Sequence, residues 1–345
     1  MARTPENPPA TEEQQILTQA LEAFKQATAR EVTVLKTDIR LPQGVADAEV
    51  RLANGERLFV EVKRNITPAT LGAAVAQLAR FGKPGILVTG YVNQQMAERL
   101  KALDVAFLDT AGNAYFNTPK LFIYVTGRKP QAPAPREKRV RALRTTGLKV
   151  IFALLCRPDL VNAPYRDIAA AAGVALGTVG WVFYDLRRLG YITETKANGR
   201  VYADRGGLID KWVEAYAHQL RPATKPQRYR VADADWWKKE NLAKFGMWLG
   251  GEPAAAVLTR YLRPEVVTVY GDTQFAALAR KVKAVKDEYG NLEVLQKFWD
   301  FELPQVDKQH PLVPPLLVYA DLVATGDARN IGTAQIIRER FLDKE

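Results

Sequence analysis

The apolar and polar positions between residues 145 and 202 predict three helices followed by two short strands. The first helix, TTGLKVIFALLC, is apolar almost throughout, and the second, YRDIAAAAG, is short. Gly173 allows a sharp turn, after which Thr178 is expected to open a longer helix. Apolar residues recur at helical spacing in both later helices and are predicted to face one core. They are Ile168, Ala169 and Ala172 in the second helix, and Val179, Val182, Phe183, Leu186 and Leu189 in the third.

This order of helices and strands predicts a winged helix-turn-helix module over residues 145–205, with Asn198, Gly199 and Arg200 at the tip of the wing. The residues of the third helix that lie outside its apolar stripe are available to DNA. We expect the first of them to meet base edges and the later arginines to meet phosphates. The residues predicted to contact DNA are Arg139, Arg141, Arg144, Thr178, Gly180, Trp181, Tyr184, Arg187, Arg188 and Arg200.

Helical and strand-like stretches alternate through the N-terminal third, which predicts a compact α/β domain over residues 12–127. A helix begins at Glu12, and three strands, a helix, a strand and a further helix follow before two last strands, VAFLDT and NAYFNT. The three strands are EVTVLKTDIRL, DAEVRL and ERLFVEVKR. Residues 1–11 are rich in proline and are predicted to be disordered, and residues 128–144 are predicted to be a basic linker.

The C-terminal region, residues 206–345, is predicted to be a mixed, helix-rich α+β domain. Helical spacing continues up to Tyr261, a strand EVVTVYGD follows, and the chain closes in a helical pair. We interpret its dense aromatic residues as a domain core, because the region is net acidic and offers little to phosphates. The fold class predicted for the whole chain is therefore α/β and α+β, with several domains.

Composition excludes several functional classes. The chain of 345 residues contains no serine, one cysteine (Cys156) and two histidines, and it has no GxxxxGK[ST] motif. Serine hydrolases, zinc fingers and P-loop nucleotidases are therefore excluded. No apolar stretch has the length of a membrane span and no signal sequence precedes the first helix, so we expect a cytoplasmic protein without a membrane partner.

Charge is concentrated around the predicted winged helix. Residues 136–230 contain 18 Lys and Arg against eight Asp and Glu, whereas residues 1–135 contain 16 against 13 and residues 231–345 contain 15 against 17. Nearly all of the net charge of +11 thus lies in the middle of the chain. A surface that only faced water would scatter this charge, so its concentration favours a polyanionic partner, double-stranded DNA.

Three polar residues of the N-terminal domain form a constellation with a chemical meaning. Asp47 lies in one predicted strand, and Glu61 and Lys63 share a face of the next, because residues two apart in a strand point the same way. Asp47 and Glu61 are candidate Mg²⁺ ligands, and Lys63 is a candidate to orient the water that attacks a phosphodiester. A hairpin with exposed charged residues is the alternative interpretation of this short motif.

The spacing D-x13-E-V-K, within the order helix, three strands, helix, strand, resembles the PD-(D/E)xK nuclease fold. This resemblance implies a restriction-endonuclease-like domain in which Asp47, Glu61 and Lys63 are catalytic if the site is active. Glu49 is a second candidate ligand on the face of Asp47. Glu22 is a candidate for the helical glutamate that some of these enzymes add.

A second resemblance covers most of the chain from about Asp47 onward. The stretches FVEVKR, LDTAGNAYF, LGGEPAAAVLTRYLRPEVVTVYGD and YADLVATGDARNIGTAQIIRERFL are similar to AbiEi antitoxins of type IV toxin–antitoxin systems. The resemblance implies a transcriptional regulator that represses its own operon and counteracts a nucleotidyltransferase-like toxin. One departure is that many such antitoxins begin with the helix-turn-helix, whereas a complete α/β domain precedes it here.

Three functions therefore remain open, and the first is favoured: a DNA-binding regulator and antitoxin, a Mg²⁺-dependent endonuclease targeted by the winged helix, and a protein whose outer domains serve only oligomerisation. The concentrated charge argues against the third. Because helix-turn-helix proteins usually bind inverted repeats as dimers, we expect a homodimer.

Overall fold

The protein is mixed α/β, as predicted, and it divides into two compact units, residues 1–136 and 137–345. Of the predicted disordered tail only Thr11 is among the residues that the structure describes, and residues 131–139 of the predicted linker lie outside them. This computed structural model describes residues 11–41, 44–82, 84–130, 140–195, 199–271, 275–302, 305 and 308–343.

A seven-stranded sheet forms the centre of the first unit, and its strands lie in sequence order. The third, fourth and fifth strands are parallel to one another, and the outer pairs are antiparallel. Apolar residues of the first helix pack on one face, and those of the second and third helices pack on the other. The elements are α1 (Glu12–Thr28), β1 (Val32–Leu41), β2 (Gly44–Leu52), β3 (Arg57–Lys63), α2 (Pro68–Arg80), β4 (Gly85–Thr89), α3 (Gln94–Ala102), β5 (Phe107–Asp109), β6 (Ala114–Thr118) and β7 (Leu121–Val125).

Local chemistry explains the start of α1 and the turn between β5 and β6. Thr11 caps α1 in a capping box with Gln14, which satisfies backbone N–H groups that the first turn leaves free. The buried Asp109 carboxylate accepts bonds from the backbone N–H groups of Val92 (2.8 Å) and Asn113 (2.8 Å). Gly112 lies between the two strands with a φ of 89°, in the left-handed region that favours glycine, and so allows the turn between them.

The second unit begins with three helices and a two-stranded antiparallel sheet. The second and third of these helices meet at 103° across a turn in which Gly173 has a φ of 61°. The predicted apolar stripes are buried except at Leu189, which is 37% exposed because the third helix ends one residue earlier. Thr178 does not open that helix but is its third residue. The elements are α4 (Thr145–Cys156), α5 (Tyr165–Ala172), α6 (Leu176–Arg188), β8 (Ile192–Thr195) and β9 (Gly199–Tyr202), with 3-10 turns at Arg141–Leu143 and Pro158–Asn162.

A five-stranded mixed sheet and several helices make up the rest of the second unit. The strand order is β11-β12-β14-β10-β13, with β12 and β14 parallel. The stretch MWLG, within the region of predicted helical spacing, forms strand β11, because apolar periodicity over so few residues does not distinguish a helix from a strand. The elements are α7 (Arg205–Ala215), α8 (Arg221–Ala223), β10 (Gln227–Arg230), α9 (Trp236–Lys239), β11 (Met247–Gly250), α10 (Gly251–Thr259), β12 (Val267–Gly271), α11 (Phe275–Lys281), β13 (Val285–Lys286), β14 (Leu292–Gln296), α12 (Pro315–Ala324) and α13 (Ala328–Ile337), with π-helical turns at Tyr216–Leu220 and Arg338–Leu342 and a 3-10 turn at Leu242–Phe245.

Aromatic packing joins α4 to the C-terminal part of this unit. The Phe152 ring lies 5.0 Å from Phe298 and 5.2 Å from Trp212, measured between ring centroids. Phe298, Trp299 and Phe301 are buried, which confirms that these aromatic residues are core residues. Among the described residues no single helix is long and apolar enough to cross a membrane, and only the bent pair α5 and α6 reaches that length and composition, with both members counted together.

Candidate functional site

The solvent-facing side of α6 carries large aromatic residues. The side chains of Trp181 and Tyr184 are 54% and 59% exposed, and their rings meet edge to face at 6.3 Å. The opposite side of the helix, including Val182 and Phe183, is buried. Gly180 and the half-buried Thr178 precede the aromatic pair on the helix. The structure thus places these four predicted DNA-contacting residues on one continuous stretch of α6.

A short segment that precedes α4 lies against α6. The backbone N–H of Ala142 donates to the buried carboxylate of Asp185 at 3.1 Å. Gly147 permits this close approach, since a Cβ atom there would come within 2.4 Å of the Ala142 carbonyl oxygen. As a result the Arg141 guanidinium lies 4.6 Å from the centre of the Trp181 ring. Arg141 therefore joins the exposed surface of α6, although 40 residues separate it from Trp181 in the sequence.

The two arginines at the end of α6 differ in their surroundings. Arg187 forms an ion pair with Glu194 of β8 at 2.8 Å, and its guanidinium also lies 3.4 Å from the Tyr165 hydroxyl. Arg188 is 3.7 Å from Asp185 and its side chain is 53% exposed. The sequence predicted that both arginines contact phosphates. In the structure Arg187 is held by Glu194 and Tyr165, whereas Arg188 extends into solvent and has one ion-pair contact, at 3.7 Å.

Arg200 packs inward from the hairpin. Its guanidinium donates to the Ala163 carbonyl at 2.8 Å and lies 4.6 Å from the centre of the Phe183 ring. The predicted position of Arg200 at an exposed wing tip is therefore wrong, because the side chain fixes β9 against the helices. Arg144 is exposed at the first turn of α4. Arg139 and Asn198, the first residue of the predicted wing tip, lie outside the described residues.

Asp47, Glu61 and Lys63 lie together where β2 and β3 separate. The Asp47 carboxylate accepts a hydrogen bond from the backbone N–H of Val62 at 2.6 Å. The Lys63 ammonium lies 2.8 Å from the Glu61 carboxylate, and both side chains are largely buried. The alternation predicted for EVK thus holds, since Phe59, Glu61 and Lys63 share the face of β3 that α2 covers.

Burial and neighbouring charge change the titration of this site. Burial raises the pKa of Asp47 to about 7, and the negative charges of Glu61 and Glu13 act in the same direction. The helical carboxylate that acts on Asp47 is thus Glu13, at the start of α1. Glu22, the predicted helical glutamate, is exposed on α1. Glu49 lies 3.6 Å from Arg57.

One buried hydroxyl faces the same side of the sheet. Thr89 pairs with Lys63 in the parallel ladder between β3 and β4, so both side chains point to one face. Thr89 is fully buried, and its hydroxyl makes no hydrogen bond with the part of the chain that the structure describes. In that same part of the chain no cluster of three or more His, Cys, Asp and Glu side chains is arranged to hold a metal ion. Two carboxylates, a lysine and the Thr89 hydroxyl are the polar groups on this part of the sheet.

A buried polar cluster in the second unit was not predicted. The Asp321 carboxylate accepts hydrogen bonds from the hydroxyls of Tyr216 (2.7 Å) and Tyr270 (2.8 Å). Arg221 lies 3.8 Å from Asp321 and binds Glu293 at 2.7 Å. The only signal in the sequence is a lone aspartate in the apolar helix PLLVYADLVA, and its partners are far away along the chain. These contacts join the end of α7 to the C-terminal sheet.

Comparison with known proteins identifies the C-terminal region. Residues 200–343 match the model of a family described as transcriptional regulator, AbiEi antitoxin, type IV TA system. Neither the curated proteins nor the solved structures give a match. The match begins at Arg200 and contains the Asp321 cluster, whereas α6 and the Asp47 site precede it. Residues 200–343 are therefore similar to AbiEi antitoxins, the transcriptional regulators of type IV toxin–antitoxin systems.

Proposed function

We propose that the protein is a transcriptional regulator that binds double-stranded DNA through α6, with residues 145–205 forming a winged helix-turn-helix module. The observation that carries this proposal is the exposed face of α6, where Trp181, Tyr184 and Arg188 meet solvent while the other face is buried. A helix that enters the major groove presents such a face, because its side chains have to reach base edges and flanking phosphates.

The arrangement of the neighbouring elements supports this docking mode. The angle of 103° between α5 and α6 lies within the range of about 90–120° that helix-turn-helix motifs adopt. The β8–β9 hairpin follows α6 directly, as a wing does, and the Tyr202 hydroxyl ties it to the Leu154 carbonyl of α4 at 2.8 Å. The surplus of cations over residues 136–230 supports a DNA partner as well.

Fluorescence anisotropy with two labelled duplexes tests the proposal. One duplex carries the sequence upstream of the protein's own reading frame, and the other is an unrelated sequence of the same length. We expect Trp181→Ala to abolish the preference for the upstream duplex, because a base contact is lost. Tyr261→Ala is the matched control, since Tyr261 is a 70% exposed aromatic residue outside α6. An unchanged preference in Trp181→Ala would contradict docking through α6.

We further propose that the protein acts as the antitoxin of a nucleotidyltransferase-like toxin. The family match over residues 200–343 supports this role. The test is to express the neighbouring reading frame alone and together with this protein, and to measure growth. The neighbouring reading frame expressed alone is expected to arrest growth, and its expression together with this protein is expected to restore growth. Continued arrest when the two are expressed together would contradict the antitoxin role.

A homodimer is the oligomeric state that we propose for the DNA-bound protein, because two-fold operators suit two copies of a helix-turn-helix. Sedimentation at micromolar concentration, with and without the upstream duplex, measures the mass directly. Monomers under both conditions would contradict it.

A second candidate function is favoured by the convergence of Asp47, Glu61 and Lys63, namely Mg²⁺-dependent hydrolysis of DNA phosphodiesters. Mg²⁺ takes oxygen ligands and often binds through one or two carboxylates with several waters, so Asp47 and Glu61 fit it. When bound, the ion supplies charge stabilisation to the phosphoryl oxygens. Lys63, released from Glu61, would then orient the attacking water.

Incubation of plasmid and linear DNA with the protein in Mg²⁺ or Mn²⁺ tests this second function. Lys63→Ala is the decisive variant, and Lys36→Ala, a change at an exposed lysine of β1, is its control. Cleavage that disappears in Lys63→Ala and persists in Lys36→Ala would support a nuclease. Equal cleavage by both variants would point to a contaminating enzyme and contradict the assignment.

A further inference from the structure

The first turns of α6 contain no side chain of the kind that selects a base through two hydrogen bonds. Residues 174–184 include no Arg, Lys, Asn, Gln, Asp or Glu. Arginine usually selects guanine, and asparagine or glutamine selects adenine, through such paired bonds. The side chains of Thr178, Trp181 and Tyr184 each carry a single O–H or N–H group. This part of α6 is therefore not equipped to read guanine or adenine in that way.

Apolar groups occupy the exposed side of these turns instead. Leu176, the first residue of α6, is 57% exposed, and Trp181 and Tyr184 are exposed to a similar extent. Leu176, Gly180 and Tyr184 follow one another at intervals of four residues, so they form a row along the helix with Trp181 beside it. We call these four residues the apolar face of α6. Three large apolar side chains side by side in water are typical of a surface that a partner covers.

The indole ring of Trp181 is held in place although it is exposed. The Arg141 guanidinium lies 4.6 Å from the ring centre, and the Tyr184 ring meets the indole edge to face at 6.3 Å. Arg141 is itself positioned by the bond between Ala142 and the buried Asp185. A side chain that is already ordered loses less conformational entropy when a partner binds. Trp181 therefore offers a fixed apolar surface.

Gly180 leaves a gap in the apolar face that the fold does not require. A Cβ atom at this position would lie 3.9 Å from the Tyr165 ring, which is an ordinary van der Waals distance. At the neighbouring Gly177 an added Cβ atom would meet open space. Glycine inside a helix is unfavourable relative to alanine, so each of these positions weakens α6 without improving its packing. Glycine on an exposed face instead suits the close approach of a partner.

The cations around the apolar face indicate which partner this is. Arg141 lies over Trp181, Arg188 follows Tyr184 by one helical turn, and Arg144 is exposed at the start of α4. These cations complement the phosphates on the two sides of a DNA groove. Among the groups that bases present in the major groove, the C5-methyl group of thymine is the apolar one. An apolar surface bordered by cations therefore matches thymine methyl groups between two phosphate backbones.

We propose that α6 selects its DNA sequence by packing Leu176 and Trp181 against thymine C5-methyl groups, with Gly180 allowing the helix to come close to the bases. This proposal rests on the proposed DNA-binding function and names the chemical group that is read. Selectivity arises because cytosine, adenine and guanine lack this methyl group, so only thymine buries apolar surface against the two side chains.

The experiment removes the methyl groups from the DNA. Fluorescence anisotropy compares binding of the full-length protein to the upstream duplex with binding to the same duplex in which deoxyuridine replaces every thymidine. Deoxyuridine keeps the base pairing and the hydrogen-bonding groups and lacks only the methyl group. Each buried methyl group contributes about fourfold in affinity, so two contacts should make the deoxyuridine duplex bind on the order of tenfold more weakly.

Leu176→Ala shows whether the lost affinity belongs to α6. This variant should lower the ratio of the two dissociation constants by about fourfold, because one methyl contact is already missing. Val257→Ala, a change at a 47% exposed apolar residue of α10, is the matched control and should keep the wild-type ratio. An equal ratio in Leu176→Ala and the wild type would mean that deoxyuridine acts through the shape of the DNA, and the proposal would be wrong.

Gly180→Ala separates binding from folding. Because alanine favours a helix, this variant should melt a few degrees higher than the wild type. It should nevertheless bind the upstream duplex about tenfold more weakly, since the added methyl group occupies the gap. Gly332→Ala, at an exposed glycine of α13 where a Cβ atom also meets open space, should gain stability and bind like the wild type. Unchanged binding by Gly180→Ala would contradict the close approach of α6 to the bases.

Two comparisons distinguish failure of this proposal from failure of the function on which it rests. If the wild type prefers the upstream duplex to the unrelated one and binds the deoxyuridine duplex equally well, the protein reads DNA by other groups and only this proposal is wrong. If the wild type shows no preference for the upstream duplex, both are wrong. If Leu176→Ala lowers the mass of the free protein in sedimentation and leaves the thymine effect unchanged, the apolar face joins two copies of the chain, and the proposal is wrong.

Discussion

The Asp185 carboxylate accepts a hydrogen bond from the backbone N–H of Ala142 at 3.1 Å, and this bond joins the segment before α4 to α6. Asp185 is 8% exposed, so the bond is shielded from water. It places Arg141 over the ring of Trp181. The buried Asp185 of α6 therefore positions Arg141 beside the exposed face of that helix.

Asp185→Ala is expected to lower the free energy of unfolding by about 1–3 kcal/mol, because the buried N–H of Ala142 loses its acceptor. Urea denaturation measures this change. Asp185→Asn keeps an oxygen acceptor and should be affected less, whereas Asp167→Ala, at a more exposed acid of α5, serves as the control. If Asp185→Ala and Asp167→Ala are equally stable, the bond does not hold the segment in place.

Arg188→Ala and Arg187→Ala are expected to act in different ways. Arg188→Ala should lower the salt slope of DNA binding by about one, because Arg188 extends into solvent. Arg187→Ala should instead weaken the anchoring of β8, since it removes the partner of Glu194, and its exposed ion pair predicts a loss of no more than about 1 kcal/mol. Anisotropy at several salt concentrations and urea denaturation of both variants provide the comparison. The reverse assignment, with the slope lost only in Arg187→Ala, would contradict this geometry.

Sequence periodicity located the buried face of α6 because burial at Val179, Val182 and Phe183 follows from the apolar character of each residue. It did not reveal the environment of the polar residues. The partner of Arg187 lies seven residues away in another element, and Arg200 bonds to a carbonyl 37 residues away. Such contacts depend on tertiary packing, which the spacing within one helix does not encode.

The same limit applies to the site of the first unit. The alternation in strand β3 correctly placed Glu61 and Lys63 on one face, since the two-residue period of a strand is local. Whether Glu13 or Glu22 acts on Asp47 depends instead on how α1 crosses the sheet. The hydroxyl of Thr89 became evident only through the register of β4, a strand separated from β3 by a helix.

Tyr270→Phe is expected to destabilise the protein more at pH 8 than at pH 5. The pKa of Asp321 is raised to about 6 by burial, so stability from this group is present at low pH and is lost as pH rises through about 6. The hydroxyl of Tyr270 donates to the charged carboxylate, and its removal should cost about 1–3 kcal/mol at pH 8. Urea denaturation at the two pH values measures the difference, with Tyr261→Phe as the exposed control. Equal losses at both pH values would show that Asp321 does not ionise in this range.

The titration of Asp47 gives a prediction that is independent of any nuclease activity. Its folded pKa of about 7 is higher than the ordinary value of 3.8, so the folded state holds a proton that the unfolded state releases. Stability from this group is therefore present below pH 3.8 and is lost as pH rises through about 7. Asp47→Asn removes the buried charge and retains an oxygen that can accept the bond from the N–H of Val62.

At pH 8.5, Asp47→Asn should raise the free energy of unfolding by on the order of 2 kcal/mol, and at pH 4 it should have little effect. Urea denaturation at both pH values measures the change, with Glu22→Gln, at an exposed carboxylate of α1, as the control. A stabilisation of the same size at pH 4 would contradict the raised pKa. Mg²⁺ at pH 8.5 should raise the melting temperature of the wild type and not that of Asp47→Asn, because the ion offsets the buried negative charges of Asp47 and Glu61. If Mg²⁺ shifts both proteins equally, Asp47 is not one of its ligands.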